Sequence, residues 1–134
     1  MMHHKLVWMV GMGVFVLGCG DDSTEADRIG VGAECTASAE CESPEGFELI
    51  CLAQFKGGYC GLEGCAGDDD CPDGSACVAH TDGKNYCFRD CTEGGKTECN
   101  RNRSPDNESN CSANIVFVDD LGDRKACVPP SSGL

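Results

Sequence analysis

Apolar residues in this chain are concentrated in one N-terminal run and in short segments that lie between polar stretches. The run covers residues 6–17. It is too short to span a bilayer core of about 30 Å as a helix, which takes about 20 residues. No long amphipathic or membrane-spanning segment follows it. We therefore predict a helical N-terminal run and little helix in the rest of the chain.

The later apolar segments form three pairs, and each pair encloses turn residues. The pairs are residues 49–53 with 59–60, 76–79 with 85–88, and 115–118 with 126–128. The turns contain Gly57-Gly58, Asp82-Gly83 and Leu121-Gly122-Asp123. Asp-Gly between β-prone runs is a strong hairpin signal. The pattern therefore predicts three short β-hairpins.

Thirteen cysteines divide into one isolated residue, Cys19, and an internal repeat of three groups of four. The groups are Cys35, Cys41, Cys51 and Cys60; Cys65, Cys71, Cys77 and Cys87; and Cys91, Cys99, Cys111 and Cys127. The third group has the longest intervals. The repeat predicts three tandem modules, at about residues 35–60, 65–87 and 91–127, within a cysteine-rich region of residues 35–134.

Twelve cysteines after Cys19 make up about a tenth of the residues there, which is typical of a small disulfide-rich scaffold in an exported chain. A lone two-stranded hairpin is only marginally stable in water, so each must be fixed to the segment before it. Four cysteines allow three pairings. We favour first with third and second with fourth, because these bonds attach both strands. The bonds are then Cys35–Cys51, Cys41–Cys60, Cys65–Cys77, Cys71–Cys87, Cys91–Cys111 and Cys99–Cys127.

The cysteine spacing does not suit a zinc or iron–sulfur site. Structural zinc sites use C-x2–4-C pairs, usually twice. The only intervals that short run from Cys60 to Cys65 and from Cys87 to Cys91. An exported chain would also meet an oxidising compartment. We therefore expect disulfides and no cofactor.

Residues 16–19, Val-Leu-Gly-Cys, follow the apolar run, which is itself preceded by His3, His4 and Lys5. This arrangement resembles the lipobox of bacterial lipoprotein precursors. The resemblance implies a signal peptide of residues 1–18, cleavage before Cys19, a diacylglyceryl group on the Cys19 thiol and usually an acylated amino group. Two or three acyl chains hold a protein stably on a membrane. The alternatives are an ordinary signal peptide with an incidental Cys19, or an uncleaved anchor helix.

The segment after Cys19 is polar, acidic and glycine-containing, and it lacks cysteine up to Cys35. We interpret residues 19–34 as the lipidated cysteine and a flexible tether. In the lipoprotein family, an Asp directly after the lipidated cysteine retains the protein in the inner membrane of some enteric bacteria. Gly20 occupies that place here. We therefore expect an exported, lipid-anchored envelope protein, with the outer membrane favoured over the inner.

The second module has the pattern C-x5-C-x5-C-x9-C, with acidic residues before its second cysteine and Pro-Asp-Gly after it. This pattern resembles the small repeats of cysteine-rich bacterial envelope lipoproteins. It is also loosely similar to the N-terminal cysteine-rich module of dickkopf-type proteins. The resemblance bears on architecture and says little about function.

The charge of the chain limits its partners. After residue 18 there are 23 acidic residues against nine Lys and Arg, for a net charge of −14. Phosphate binding needs a basic face, so nucleic acid is not expected as a partner. Besides the membrane reached through the lipid, the partner is an unknown protein, glycan or cation, and the acidity also favours solubility.

Four aspartates, Asp68, Asp69, Asp70 and Asp73, cluster around Cys71 in a loop that contains Gly and Pro. Calcium takes six to eight oxygen ligands, several of which such a loop could supply. The loop lacks the D-x-[DN]-x-[DN]-G register with a distal Glu. A solvated acidic turn is the simpler interpretation, and a calcium-binding adhesion module is an alternative.

The sequence offers little for enzymatic chemistry. His80 is the only histidine after residue 18, and it lies at a predicted surface turn. An even number of paired cysteines leaves no thiolate. A small core is a poor setting for the pocket that separates carboxylate pKa values. The polar run of residues 100–110 is interpreted as an exposed loop.

We therefore expect a protein that is not an enzyme and that has a binding or structural role at the cell surface or in the periplasm. The alternative is a disulfide-stapled inhibitor or effector, such as a protease inhibitor, that presents a rigid loop to its target.

Overall fold

The computed structural model describes residue 26 and residues 30–42 and 46–130. The elements are 3-10 turns η1 (Ser38–Glu40), η2 (Asp68–Asp70) and η3 (Pro105–Asn107), helix α1 (Gly95–Cys99), and strands β1 (Ile50–Cys51), β2 (Cys60–Glu63), β3 (Ser75–Ala79), β4 (Asn85–Arg89), β5 (Asn110–Ser112), β6 (Val116–Phe117) and β7 (Ala126–Val128). The predicted fold class, disulfide-rich with short antiparallel strands and little helix, is confirmed. The predicted N-terminal helix lies outside the described residues.

Six disulfides join the twelve cysteines from Cys35 to Cys127, and each bond stays within one module. They are Cys35–Cys51, Cys41–Cys60, Cys65–Cys77, Cys71–Cys87, Cys91–Cys111 and Cys99–Cys127. The Cα–Cα distances of 5.3 to 6.0 Å suit disulfide geometry. This is the same pairing as the one favoured from the sequence.

The three modules share one structural plan. The third and fourth cysteines of each lie directly opposite one another on two antiparallel strands: Cys51 with Cys60, Cys77 with Cys87, and Cys111 with Cys127. A short helical turn leads to each second cysteine, as η1, η2 and α1. Each module is therefore a helical turn joined by two disulfides to a pair of antiparallel strands, which explains the repeat in the cysteine spacing.

The predicted hairpins of the first two modules are confirmed by the pairs β1–β2 and β3–β4, but the prediction for the third module is wrong. There β5 pairs with β7, and the segment of residues 115–118 contributes β6, which pairs with β3 of the second module. The long interval between the third and fourth cysteines permits this excursion. Ile115 and Phe117 gain burial by it, because both pack against the main core.

The modules are joined by a common sheet and a common core. Five strands form one antiparallel sheet in the order β1-β2-β4-β3-β6, to which all three modules contribute. Phe55 and Tyr59 of the first module meet Tyr86 and Phe88 of the second, with ring centroids 5.2 to 5.8 Å apart for the closest pairs. The sequence led us to expect covalent links in place of a sizeable core. Instead, the few aromatic residues gather in one place, so that disulfides and a shared core act together.

The packed domain begins before the boundary predicted at Cys35. Ala26 and Val31 are fully buried in the main core, and Glu34 N–H donates to the Asn102 carbonyl. Val31 supplies apolar surface to an otherwise polar segment, and its burial fixes the backbone around it. The part of the predicted tether at residues 30–34 therefore belongs to the folded domain.

The polar run of residues 100–110 also departs from its interpretation as an exposed loop, because Arg103 is only 8% exposed. Its guanidinium donates hydrogen bonds to the carbonyls of Gly32, Lys56, Gly58 and Asn107 at 2.6 to 3.1 Å. It also lies 5.7 Å from the centroid of the Tyr59 ring. A buried charge needs such partners, and these carbonyls tie the third module to the first.

Candidate binding surface

The predicted lipidation site, Cys19, lies outside the described residues. Among the described residues, no helix has both the length and the apolar character required to cross a bilayer. Lipid attachment at Cys19 therefore stays a prediction.

The acidic loop of the second module supports its own backbone. Asp68 Oδ1 accepts a hydrogen bond from Cys77 N–H at 2.9 Å, and its Oδ2 lies 2.8 Å from Arg124. Asp70 Oδ2 accepts from Ala66 N–H at 2.8 Å. Over the described residues, no three of the four aspartates bring carboxylate oxygens within 4.8 Å of one another. The calcium alternative gains no support from this geometry.

The first module repeats this arrangement with different residues. Glu40 accepts hydrogen bonds from the backbone N–H and the hydroxyl of Thr36 at 2.7 and 2.9 Å, which hold the pKa of Glu40 below its usual value. Ser38 Oγ accepts from Cys51 N–H at 3.0 Å, as Asp68 does from Cys77 N–H. In both modules, the acidic residue just before the second cysteine thus accepts a hydrogen bond from the backbone N–H of the residue just after the first cysteine.

Replacing Asp68 with alanine should therefore lower the free energy of unfolding by about 1–3 kcal/mol, because a backbone N–H loses its acceptor and the Arg124 guanidinium loses a carboxylate partner. Asp69→Ala is the matched control, since Asp69 is exposed and no hydrogen bond or ion pair joins it to another described residue. Guanidinium chloride denaturation of the oxidised protein measures both. Equal stability of the two variants, or a calcium-dependent rise in the unfolding midpoint of the wild type, would contradict the structural role.

The three clusters of cysteine sulfurs do not offer thiolates to a metal. In each module the first, second and fourth cysteines have sulfur atoms within 4.8 Å of one another. All of these sulfurs are engaged in disulfides. The thiolate is the ligating form of cysteine, so the oxidised modules lack it.

His80 is more enclosed than a surface turn would leave it. Its ring makes edge contacts with Phe55 and Tyr86, with centroids 5.3 and 5.7 Å apart, and its side chain is 14% exposed. Asp82, two residues on, accepts a hydrogen bond of 2.6 Å from the Tyr86 hydroxyl. The histidine therefore extends the aromatic core to the tip of the β3–β4 hairpin.

Both tyrosines of the chain belong to this core, and this sets a pH dependence. Burial, reinforced by the hydrogen bond to Asp82, raises the pKa of Tyr86 to about 12, and burial raises the pKa of Tyr59 above its usual value. A raised folded-state pKa contributes stability that is complete below pH 10, the unfolded value, and that is lost as the pH rises further. We expect little tyrosinate absorbance at pH 10 to 11 in the native protein, whereas the denatured, reduced chain should titrate near pH 10.

That titration has a clear contrary outcome. Half-conversion to tyrosinate near pH 10 in a protein whose circular dichroism is unchanged would show that one of the two rings is solvated. Tyr86→Phe separates the two groups, because the remaining signal then comes from Tyr59 alone.

The most exposed apolar surface lies on the excursion of the third module, residues 113–125, which we call the flap. Val116 in β6 is 65% exposed and Leu121 is 70% exposed, the two highest values among the described large apolar residues. Two clefts, of about 690 and 500 Å³, are both lined in part by Ile115 and Val116. An exposed large apolar side chain beside a cleft, as Val116 is here, is a candidate for an interaction site.

The flap is held firmly by contacts at its base. Arg124 lies 4.9 Å from the centroid of the Phe117 ring and forms ion pairs with Asp68 and Asp90 at 2.8 and 3.7 Å. Asp119 Oδ2 accepts a hydrogen bond from Asp68 N–H at 2.7 Å. Val118 N–H donates to the Cys77 carbonyl. These contacts fix the base of the flap to the second module.

Sequence reasoning did not single out Val116 or Leu121. The sequence predicts that residues 115–118 form a hairpin strand within the third module, where a short apolar run needs no further explanation. The one usable signal was Leu121, an apolar residue in a predicted turn whose neighbours are Asp119, Asp120, Gly122 and Asp123.

Comparison of the chain with protein-family models, with curated proteins and with solved structures finds no match. A small disulfide-rich protein of this kind is compatible with a structural or binding role. The function therefore has to be inferred from the chemistry of its own residues.

Proposed function

We propose that this protein is an exported, non-enzymatic binding protein of the cell envelope, anchored by lipid on Cys19, that presents the flap to a partner protein. Its resemblance to the lipoprotein lipobox supports the anchor. The six disulfides support export, because such bonds form and persist in oxidising compartments.

The observation that carries the binding role is the exposure of Val116 and Leu121 on a rigid base. Exposed large apolar side chains lose water contact favourably when a partner covers them, at about 25 cal/mol per Å² of apolar surface. Disulfides and the contacts of Arg124 keep this surface in place, so that little ordering is required on binding.

A role without catalysis is supported by the groups that would otherwise react. All twelve cysteines from Cys35 onward are in disulfides, and the His80 ring contacts other aromatic rings. Asp68 and Asp70, in the acidic loop, accept backbone hydrogen bonds of their own module. These groups have structural partners in place of a substrate.

The anchor is tested by the mass of the native N-terminal peptide and by fractionation of the expressing cells. We expect a peptide that begins at Cys19 and carries acyl chains, and a protein that is found with membranes. Cys19→Ser should release it to the soluble fraction, while Gly20→Ser, the matched neighbour, should leave it membrane-bound. An unmodified N-terminus that begins elsewhere would refute the anchor, and separation of inner from outer membrane decides the location.

The binding role is tested by cross-linking in native envelopes. We expect a specific adduct that is lost in Val116→Asp/Leu121→Asp and retained in Ile50→Asp, which alters an exposed apolar residue at the other edge of the sheet. An adduct pattern unaffected by the flap variant would refute this role for the flap. A protease panel covers the inhibitor alternative, which predicts the selective loss of one protease activity while the protein itself stays uncut.

A further inference from the structure

The two edges of the five-stranded sheet differ in how their backbone groups are satisfied. At the β1 edge, Leu52 N–H donates inward to the Tyr59 backbone carbonyl. The outward-facing Cys51 N–H donates to Ser38 Oγ at 3.0 Å. The β1 edge is thus covered by η1 of its own module. At the other edge, β6 pairs with β3 alone.

The open side of β6 exposes the backbone of Phe117. Val118 N–H donates inward to the Cys77 carbonyl, and Phe117 lies opposite Val78. Successive residues of a strand direct their backbone groups to opposite sides. The N–H and C=O of Phe117 therefore face away from the sheet, and no described residue accepts from this N–H. An unpaired strand edge is a template for another strand.

Side chains beside this edge indicate what kind of strand it accepts. Val116, in the edge strand itself, supplies exposed apolar surface. Asp120 and Asp123 line the adjoining cleft without an ion pair to any described residue, whereas Arg124 is already paired with Asp68. Lys125 is the remaining cation of that cleft. The charges without an ion-pair partner there, two carboxylates and one ammonium, therefore sum to −1. The site thus combines apolar contact with a small excess of negative charge that is not used in ion pairs.

We propose that the outer edge of β6 binds an extended segment of a partner protein as a sixth strand, and that this segment alternates apolar β-branched residues with Lys or Arg. The proposal rests on the proposed binding function and specifies the chemistry of its partner. Main-chain hydrogen bonds set the register in such strand addition, and side-chain pockets give specificity. Because β6 is only two residues long, side-chain contacts, above all those of Val116, must supply much of the binding energy.

A second copy of this chain is a poor occupant of the edge. Each copy carries a formal net charge of −13, so that two copies repel one another. The same charge attracts and orients a cationic segment. Charge complementarity thus selects a basic partner over self-association.

The first experiment uses the oxidised, detergent-solubilised protein and an array of ten-residue peptides in which Val, Ile or Thr alternates with Lys or Arg. A matched array carries Glu or Asp in place of Lys and Arg. We expect the best basic peptides to bind at least about tenfold more tightly than their acidic counterparts. The same peptides with backbone N-methylation at alternate positions, in both registers, should lose binding in at least one register.

Variants and hydrogen exchange then locate the contact. Val116→Lys should weaken the best basic peptide about tenfold, while Ile50→Lys at the covered edge should change its affinity less than about twofold. On peptide binding, the Phe117 amide should gain protection from hydrogen exchange, whereas the Val118 amide is already protected in the free protein. Circular dichroism of both variants checks that they are folded.

Several results would overturn the proposal. In the peptide experiment, these results are equal binding by the basic and acidic arrays, no binding by either, or full binding by both N-methylated registers. In hydrogen exchange, the contrary result is an unchanged exchange rate of the Phe117 amide. In sedimentation, it is a dimer that Val116→Lys converts to monomer. The cross-linking experiment in native envelopes is independent of these peptides. If the cross-linked adduct depends on Val116 and Leu121 while the peptide experiments show no strand addition, the binding function stands. Only binding by strand addition is then refuted.

Discussion

Replacing Arg103 with methionine should lower the free energy of unfolding by about 3–5 kcal/mol, the range seen when one member of a buried charged contact is removed. Methionine retains much of the side-chain volume but donates no hydrogen bond. The carbonyls that now accept from the guanidinium would then lack their donor: Gly32, Lys56, Gly58 and Asn107. Since small domains are stable by only about 5–15 kcal/mol, this loss is a large fraction of the total.

Arg101→Met provides the matched control, because Arg101 is exposed two residues earlier on the same segment. Denaturant unfolding should show a change below about 0.5 kcal/mol for this variant. If Arg103→Met and Arg101→Met unfold at the same denaturant concentration, then the guanidinium does not join the third module to the first.

Removing the Cys71–Cys87 bond by alanine at both positions should cost about 2–5 kcal/mol. Cys87 lies fully buried in β4, the central strand of the sheet, where it faces Cys77 on one side and Leu62 on the other. Loss of this bond therefore also leaves a gap in the packed interior, and we expect the whole sheet to unfold at lower denaturant.

The Cys91–Cys111 bond is the comparison for this experiment, because its Cys111 is partly exposed in the separate β5–β7 pair. Sequence separations of 16 and 20 residues give nearly equal loop-closure entropies. Any difference between the two double variants thus reports packing. We expect the larger loss for Cys71→Ala/Cys87→Ala in far-ultraviolet circular dichroism, and equal losses would show that chain entropy alone sets the effect.

Sequence patterns predicted the local structure well where each module closes on itself. The Gly57-Gly58 and Asp82-Gly83 turns predicted the first two hairpins, because positive φ values at Gly57, Gly58 and Gly83 permit the reversals. The sequence analysis notes the acidic residues before the second cysteine of the second module but does not predict that they cap the backbone. A carboxylate pattern is the same for a cap and for a cation ligand until the positions of the N–H donors are known.

Contacts between modules could not be predicted in the same way. Residues 115–118 have the β-propensity of a hairpin strand wherever they pair, so their transfer to β3 left no local trace. Arg103 lies in a polar run whose composition is that of an exposed loop. Its burial depends on carbonyls from segments 45 to 71 residues distant, at Gly58 and Gly32.

By itself the sequence determined the disulfide-rich class, the three-module repeat and the first two hairpins, because cysteine spacing and turn residues act over short distances. Only the tertiary structure decided which strands join across modules, which charges are buried and which apolar residues stay exposed. Those outcomes depend on how residues from separate modules pack together in one aromatic core. Phe117 packs beside Arg124, whereas Val116 and Leu121 stay exposed.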